Sequence, residues 1–164
     1  MKTILLIRHA KSSWDSPALS DFDRPLNGRG KRDAPEMAKR LAKSKIQIDL
    51  FISSPAKRAK KTAELFIGEF KRSEKEILFI QELYQAPIQV FYDIISGLNN
   101  TCHCAAIFSH NPGITDFANT LTEVHLDNIP TCGVFAIKAP VEQWNEFDKA
   151  KKEFLFFDYP KSGT

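Results

Sequence analysis

Two histidines and two arginines of this sequence lie close behind short apolar segments that resemble buried β-strands. Arg8 and His9 directly follow one such segment, Arg58 comes soon after a second, and His110 comes just after a third. A guanidinium group is a planar fork that matches phosphate oxygens and stays charged at physiological pH. An imidazole nitrogen can attack phosphorus and form a phosphohistidine that water then hydrolyses. These four residues therefore indicate phosphoryl-transfer chemistry.

Six apolar segments have the character of strands, and amphipathic segments with helical spacing separate most of them. The predicted strands cover residues 3–7, 49–53, 77–80, 105–108, 133–138 and 153–159. The predicted helices cover residues 27–41, 55–70, 87–98 and 112–121, with a shorter helix around Trp144. This alternation predicts an α/β fold, a three-layer α/β/α sandwich with a mainly parallel central sheet. We expect the last two strands to add an antiparallel edge.

The predicted strand ends place the reactive side chains together. In open α/β sheets, ligands bind in the crevice beyond the carboxyl ends of the strands. His9 ends the first predicted strand, the Ser53–Pro55 turn ends the second, Glu82 follows the third, and His110 ends the fourth. We therefore expect one cationic, polar pocket at this edge of the sheet.

The composition is that of a single globular domain over residues 1–164. Hydrophobic residues make up 43% and charged residues 26% of the sequence, which is ordinary for such a domain. No apolar run reaches the roughly 20 residues of a membrane span, and no cleavage site for a signal peptide follows the N-terminus. A net charge of +3 is too small to predict nucleic-acid binding. Three cysteines cannot all pair as disulfides, so we predict a reducing compartment, the cytoplasm.

Four segments, in order, resemble motifs of the histidine phosphatase superfamily, which also contains the phosphoglycerate mutases. Ile7-Arg8-His9-Ala10 resembles its Arg-His-Gly signature, with alanine where the family commonly has glycine. The other matching segments are Asp23–Gly30, Ser53–Pro55 together with Arg58 and Thr62, and Phe108–Pro112. The short chain and the Ser-His-Asn-Pro-Gly run are most similar to the SixA-type phosphohistidine phosphatases. The resemblance implies a phosphoglycerate mutase-like fold.

The resemblance also implies a role for each site residue. His9 would be the phosphorylated nucleophile, and Arg8, Arg58 and His110 would bind the phosphoryl group. Glu82 stands where many members carry the general acid that protonates the leaving group, although SixA-like enzymes are thought to work without a clear acid. No metal and no cofactor are implied. If both histidines titrate near neutrality, the rate should follow a bell-shaped pH profile.

Several functions are consistent with these residues. The leading hypothesis is a metal-independent phosphatase that acts on phosphohistidine in proteins through a covalent intermediate on His9. The absence of a long insertion that could cover the site favours a protein substrate. The alternatives are a small-molecule phosphomonoesterase, a mutase, and a non-catalytic phosphate-binding module. The expected partner is a phosphorylated protein or small molecule, with no nucleic acid or membrane, and the expected assembly is a monomer or weak dimer.

Neighbouring polar residues have simpler interpretations. The simplest interpretation of the basic run around Arg58 is a solvated helix face formed by Lys57, Lys60 and Lys61. Asp23 and Arg24 should fix a loop over the site by ion pairing. The Cys102-His103-Cys104 segment lacks a second pair of ligands at zinc-like spacing and is expected to belong to the start of a core strand.

Overall fold

The first apolar segment forms β1 (Lys2–Arg8), an inner strand of a six-stranded sheet in the computed structural model, which describes residues 1–163. The other strands are β2 (Leu50–Ser53), β3 (Leu78–Phe79), β4 (Cys104–Ser109), β5 (Val134–Ala139) and β6 (Glu153–Asp158). Their order across the sheet is β3-β2-β4-β1-β5-β6. The first four strands of this order are parallel, whereas β5 runs antiparallel to β1 and β6 antiparallel to β5. The prediction of a mainly parallel sheet with a late antiparallel edge is confirmed.

Four helices cover the two faces of the sheet. They are α1 (Gly28–Lys43), α2 (Lys57–Glu69), α3 (Ile88–Ser96) and α4 (Gly113–Leu121). Leu5 and Ile7 of β1 pack in the core on the α1 and α2 side, while Ile4 and Leu6 pack in the core on the α3 and α4 side. Side chains alternate between faces along a strand, so a continuous apolar run fills both cores. The predicted three-layer sandwich is confirmed.

The edge strand β3 is shorter than predicted. It has two residues, both exposed, instead of the four expected over 77–80. Leu78 and Phe79 pair only with Ile52 and Ser53 of β2. The apolar character of this segment therefore reflects partial packing at the margin of the sheet rather than a buried strand. Trp144 begins a single 3-10 turn, Trp144–Glu146.

The cysteines belong to the core, as expected for Cys104. Cys102, Cys104 and Cys132 are all free and buried, and burial raises the pKa of Cys104 to about 12. Among residues 1–163, no cluster of His, Cys, Asp and Glu has the arrangement of a metal site. In the same part of the chain, no helix has the length and apolar character needed to cross a membrane.

The first turn of α1 supports the loop that follows β1. The Asn27 side chain caps this helix by accepting a hydrogen bond from the Gly30 N–H at 2.9 Å. The Asn27 N–H donates to the Lys11 carbonyl at 3.0 Å. A Cβ atom on Gly30 would lie 2.2 Å from that same carbonyl oxygen. Glycine at this position therefore lets the helix approach the backbone two residues beyond His9.

We expect Gly30→Ala to lower the free energy of unfolding by about 1–3 kcal/mol, because the added methyl group overlaps the Lys11 backbone. Gly68→Ala is the matched control, since a Cβ on this helical glycine meets nothing within 4 Å. We expect it to raise the free energy of unfolding by about 0.5–1 kcal/mol, the usual difference between alanine and glycine in a helix. Urea unfolding followed by circular dichroism measures both. Equal effects of the two substitutions would contradict this account.

Candidate active site

His9 directly follows β1 and is 6% exposed. Its Nδ1 lies 2.8 Å from the Ala10 carbonyl, and its Nε2 lies 3.3 Å from the Arg58 Nε. A carbonyl only accepts hydrogen bonds, so the proton of His9 is on Nδ1 and the lone pair is on Nε2. Burial holds the pKa of His9 well below its usual value. The hydrogen bond to the Ala10 carbonyl acts in the opposite direction, while the positive charges of Arg58 and Arg8 lower the pKa further. At neutral pH, His9 therefore presents an uncharged, nucleophilic Nε2.

His110 directly follows β4 and faces His9 across the same edge of the sheet. The two ring centroids are 5.1 Å apart, and the His110 Nε2 lies 2.8 Å from the Ser54 hydroxyl. Burial lowers the pKa of His110 to about 3, with a further contribution from the positive charge of Arg58. The condition for a bell-shaped pH profile, that both histidines titrate near neutrality, is therefore disfavoured, because burial disfavours the charged form of both rings.

Two buried nitrogens at the site have no hydrogen-bond partner. They are Arg8 Nε and His110 Nδ1, and no other buried side-chain nitrogen or oxygen within residues 1–163 lacks one. The other end of the Arg8 guanidinium is held, because its Nη1 donates to the Ile129 carbonyl at 3.0 Å. Buried polar groups nearly always have partners. Two unpaired nitrogens at one edge of the sheet therefore indicate a ligand with acceptor oxygens.

Arg58 is the buried residue of the basic run on α2. It is 6% exposed, whereas Lys57, Lys60 and Lys61 are exposed. Its position in the first turn of the helix directs the guanidinium back to the end of β1. The interpretation of the lysines as a solvated face fits these positions, and Arg58 is the member of the run that contacts His9.

Thr62 ties Arg58 to the backbone next to His9. Its hydroxyl accepts a hydrogen bond from the Ala10 N–H at 2.9 Å and donates to the Arg58 carbonyl at 2.7 Å. Thr62 is fully buried. Thr62 therefore fixes the first turn of α2 relative to Ala10, the residue that follows His9.

Asp21 is a site residue that the sequence did not reveal. Its carboxylate accepts hydrogen bonds from the Arg58 Nη2 at 3.0 Å, from the Tyr84 hydroxyl at 2.6 Å and from the Arg24 Nη1 at 3.0 Å. The Tyr84 hydroxyl, and after it Arg58 and Arg24, hold the pKa of Asp21 well below its usual range. Asp21 therefore stays ionised and balances the charge of Arg58. No motif or spacing in the sequence marks this aspartate within its polar loop.

The loop over the site is fixed by Arg24, but not through the expected partner. Arg24 pairs with Asp21, while Asp23 accepts a hydrogen bond from the Ser20 hydroxyl at 2.9 Å. The Arg24 Nε donates to the Ser13 carbonyl at 3.0 Å, and its guanidinium lies 3.2 Å from the centroid of the Trp14 ring. The 3-10 turn Asp21–Asp23 directs the Asp21 carboxylate, rather than that of Asp23, towards the arginines.

Glu82 lies at the rim of the site. It is exposed in the 3-10 turn Gln81–Leu83 that follows β3, and it makes no ion pair or hydrogen bond with His9 or His110. Its neighbour Tyr84 contacts the His110 ring edge-on, with centroids 5.4 Å apart. Glu82 thus belongs to the segment that contacts His110 through Tyr84, but it forms no hydrogen bond or ion pair with either histidine, and its role as a general acid stays a prediction.

The charges at the site favour an anion. Burial lowers the pKa of Arg8, and the nearby positive charge of Arg58 lowers it further. Asp21 balances Arg58, but Arg8 makes no salt bridge within residues 1–163. An anion bound between Arg8, His9 and His110 would supply the missing negative charge and accept hydrogen bonds from the unpaired nitrogens. The arrangement suits a phosphoryl group.

Comparison with known proteins relates the chain to phosphate-transferring enzymes. Residues 4–83 match the family model of the histidine phosphatase superfamily (branch 1). An uncharacterized chloroplastic protein of Arabidopsis thaliana is 28% identical over 156 residues, 88% of this chain and 70% of that protein. A 2,3-bisphosphoglycerate-dependent phosphoglycerate mutase of Bartonella henselae is 29% identical over 100 residues, 60% of this chain. The match covers 47% of that mutase, about half its length.

Among solved structures, the protein histidine phosphatase SixA complexed with tungstate has the same fold. It superposes with a TM-score of 0.84 at 20% sequence identity, and the match covers 99% of both chains. The matched family segment contains β1, β2 and α2, and with them Arg8, His9 and Arg58. Residues 4–83, just under half of the chain, are thus similar to the histidine phosphatase superfamily, and the fold is that of the SixA structure.

Proposed function

We propose that this phosphatase transfers the phosphoryl group of its substrate to Nε2 of His9 and that its substrate is phosphohistidine in proteins. The observation that carries the proposal is the protonation state of His9. Its Nδ1 proton is bound by the Ala10 carbonyl, so its uncharged Nε2 carries the lone pair, which accepts a long hydrogen bond of 3.3 Å from the Arg58 Nε until a substrate binds. Arg8 and His110 add unpaired buried nitrogens at the same place. A nucleophile next to donors for phosphoryl oxygens is what this transfer requires.

The reaction has two steps in this proposal. The lone pair of His9 Nε2 forms a bond to phosphorus while the bond from phosphorus to the substrate nitrogen breaks, and the released imidazole takes up a proton from solvent water. A water molecule then attacks the phosphohistidine, which releases inorganic phosphate and restores His9. In this proposal the Ser54 hydroxyl donates a hydrogen bond to His110 Nε2, so the proton of His110 is on Nδ1. The Nδ1–H group then donates a hydrogen bond to a phosphoryl oxygen. The guanidiniums of Arg8 and Arg58 balance the charge on the transferred group.

The surroundings of the site support a protein substrate. Only the short turn at 81–83 and α3 separate β3 from β4, so no inserted subdomain covers the two histidines within residues 1–163. The structure of the protein histidine phosphatase SixA aligns over 99% of both chains.

A small-molecule phosphomonoesterase is the second candidate. It is favoured by the sequence match to a phosphoglycerate mutase, which covers β1, β2 and α2 but only about half of the mutase. Activity on phosphorylated metabolites without activity on phosphohistidine peptides would select this candidate. A mutase would additionally have to retain the phosphoryl group away from water, and the open edge of the sheet does not favour this.

The cellular location and assembly proposed for the protein rest on the sequence. The free, buried thiols of Cys102, Cys104 and Cys132 suit the proposed reducing cytoplasm. The Arabidopsis relative is chloroplastic, which is a different compartment from the one proposed here. A monomer or weak dimer is the proposed assembly.

Replacing the nucleophile should abolish turnover. We expect His9→Ala to lower kcat by at least about a thousandfold on both an aryl phosphate and a phosphohistidine peptide, because no acceptor for the phosphoryl group is left. Wild-type protein quenched during turnover should carry one added phosphoryl group at His9 in mass spectra. The control is His125→Ala, which removes an exposed histidine and should change neither rate. A fully active His9→Ala protein would rule out the covalent mechanism.

Glu82 is proposed to protonate only poor leaving groups. We expect Glu82→Gln to lower kcat about 100-fold on alkyl phosphate esters and to leave the rate on a phosphohistidine peptide unchanged. Gln81→Ala, which changes another exposed residue of the same turn, should affect neither substrate. Unchanged hydrolysis of the alkyl ester by Glu82→Gln would show that Glu82 is not a general acid.

The pH dependence should follow the lowered pKa of His9. A histidine attacks only when neutral, and a lowered pKa keeps it neutral as the pH falls below the usual histidine value of about 6.5. After correction for the substrate's own ionisation, kcat/KM should therefore stay level from pH 8 to about pH 6 and fall only below the usual histidine range. An acidic limb centred near pH 6.5 would mean that His9 is not desolvated in solution.

A further inference from the structure

A groove lined by lysines runs along α2. Its volume is about 640 Å³. One wall is the segment that follows Asp21 and continues into the first turn of α1, and the other wall is the exposed face of α2. We call it the lysine groove, and its lining residues are Phe22, Asp23, Pro25, Leu26, Lys31, Pro55, Lys57, Lys60, Lys61 and Glu64.

The lysine groove carries unbalanced positive charge. Its four lysines are exposed and make no salt bridge within residues 1–163. Two carboxylates also line it, those of Asp23 and Glu64, and Asp23 already accepts a hydrogen bond from the Ser20 hydroxyl. Two of the four positive charges therefore remain unbalanced. The Lys60 ammonium in addition lies 5.7 Å from the centroid of the Phe79 ring, so part of its side chain is held close to the surface.

The apolar part of the groove is already in place. The Phe22 ring packs edge-on against Tyr84, with centroids 5.0 Å apart. Leu26 is 3% exposed, and its backbone pairs with Ser12. These contacts fix the wall opposite α2. Lysine stems add apolar surface below their charged ends, so the groove offers both packing surface and positive charge.

Three residues that line the lysine groove are sequence neighbours of site residues. Phe22 follows Asp21, which binds Arg58, and Pro55 follows Ser54, which contacts His110. Lys57 precedes Arg58 directly. From Arg58 to Glu64, α2 rises about 9 Å, which an extended peptide spans in about three residues. A segment next to a phosphorylated side chain would therefore enter this groove.

We infer that the lysine groove binds an acidic segment of the protein substrate, within about three residues of the phosphorylated side chain. This inference rests on the proposed function. The carboxylates of such a segment complement the unbalanced lysines, and its backbone fits between the two fixed walls. Exposed ion pairs are individually weak, so the groove contributes selectivity among phosphorylated proteins rather than most of the binding energy.

The test compares two phosphohistidine peptides that differ only near the phosphorylated residue. One has aspartate and glutamate at the three positions on each side, and the other has serine and asparagine there. For the wild-type chain at low salt, we expect KM for the acidic peptide to be about tenfold lower, with kcat unchanged and the difference lost at high salt. An aryl phosphate, which is too small to reach the groove, should show no such salt effect.

The groove variant is Lys60→Glu/Lys61→Glu, and its matched control is Lys39→Glu/Lys43→Glu. The control changes two exposed lysines of α1 outside the groove and alters the net charge by the same amount. We expect the groove variant to lose the preference for the acidic peptide and to keep the wild-type rate on the aryl phosphate. The control should keep both. A preference that survives in the groove variant, or is lost equally in the control, would overturn the inference.

A binding measurement separates failure of this inference from failure of the proposed function. A fluorescent, unphosphorylated acidic peptide is titrated with the wild-type chain and followed by anisotropy. If neither phosphohistidine peptide is hydrolysed, the proposed substrate is wrong, whereas binding that requires Lys60 and Lys61 would still support the groove. If both peptides are hydrolysed equally well and the acidic peptide does not bind, the groove inference alone is wrong. Binding of a fluorescent single-stranded RNA, together with no binding of the acidic peptide, would likewise overturn the groove inference.

Discussion

The two histidines are neighbours because Arg8 pairs with Ser109 in the parallel ladder between β1 and β4. The His9 N–H continues this ladder by donating to the Ser109 carbonyl at 3.2 Å, so both strands end at the same level. On the other side of β4, the Ser54 N–H donates to the Phe108 carbonyl at 3.0 Å. Since α2 begins soon after β2, the same arrangement delivers Arg58. A one-residue shift of the ladder between β1 and β4 would separate His9 from His110.

Because the site is buried, its histidines are uncharged and its arginines supply the positive charge. Burial lowers the pKa of His9 and of His110, so neither ring is charged at neutral pH without a bound anion. Positive charge is left to the guanidiniums of Arg8 and Arg58, which do not lose their protons in the physiological range. Asp21 orients one of these groups and balances its charge. The nucleophile thus stays uncharged although it lies beside two cations.

The sequence was sufficient for the fold and for the residues that end strands. Continuous apolar runs such as 3–7 and 105–108 predict inner strands of a sheet that is covered on both faces. The positions of His9 and His110 at the ends of such strands then predict that the two side chains meet at one edge. Asp21 could not be found in this way, because its position depends on a loop without periodicity. For the same reason, the partner of Arg24 was misassigned. The short length of β3 was missed because hydrophobicity does not distinguish an exposed edge strand from a buried one.

The order of strands across the sheet also determines when the site can exist during synthesis. β1 lies between β4 and β5, both of which follow it much later in the chain. The apolar residues 4–7 and the nucleophilic His9 therefore leave the ribosome long before the strands that enclose them. Until β4 and β5 are made, β1 has neither neighbour and remains an unpaired apolar segment, the kind of surface that attracts chaperones or other chains. Chain growth, and not only sequence, decides how long this segment stays unprotected.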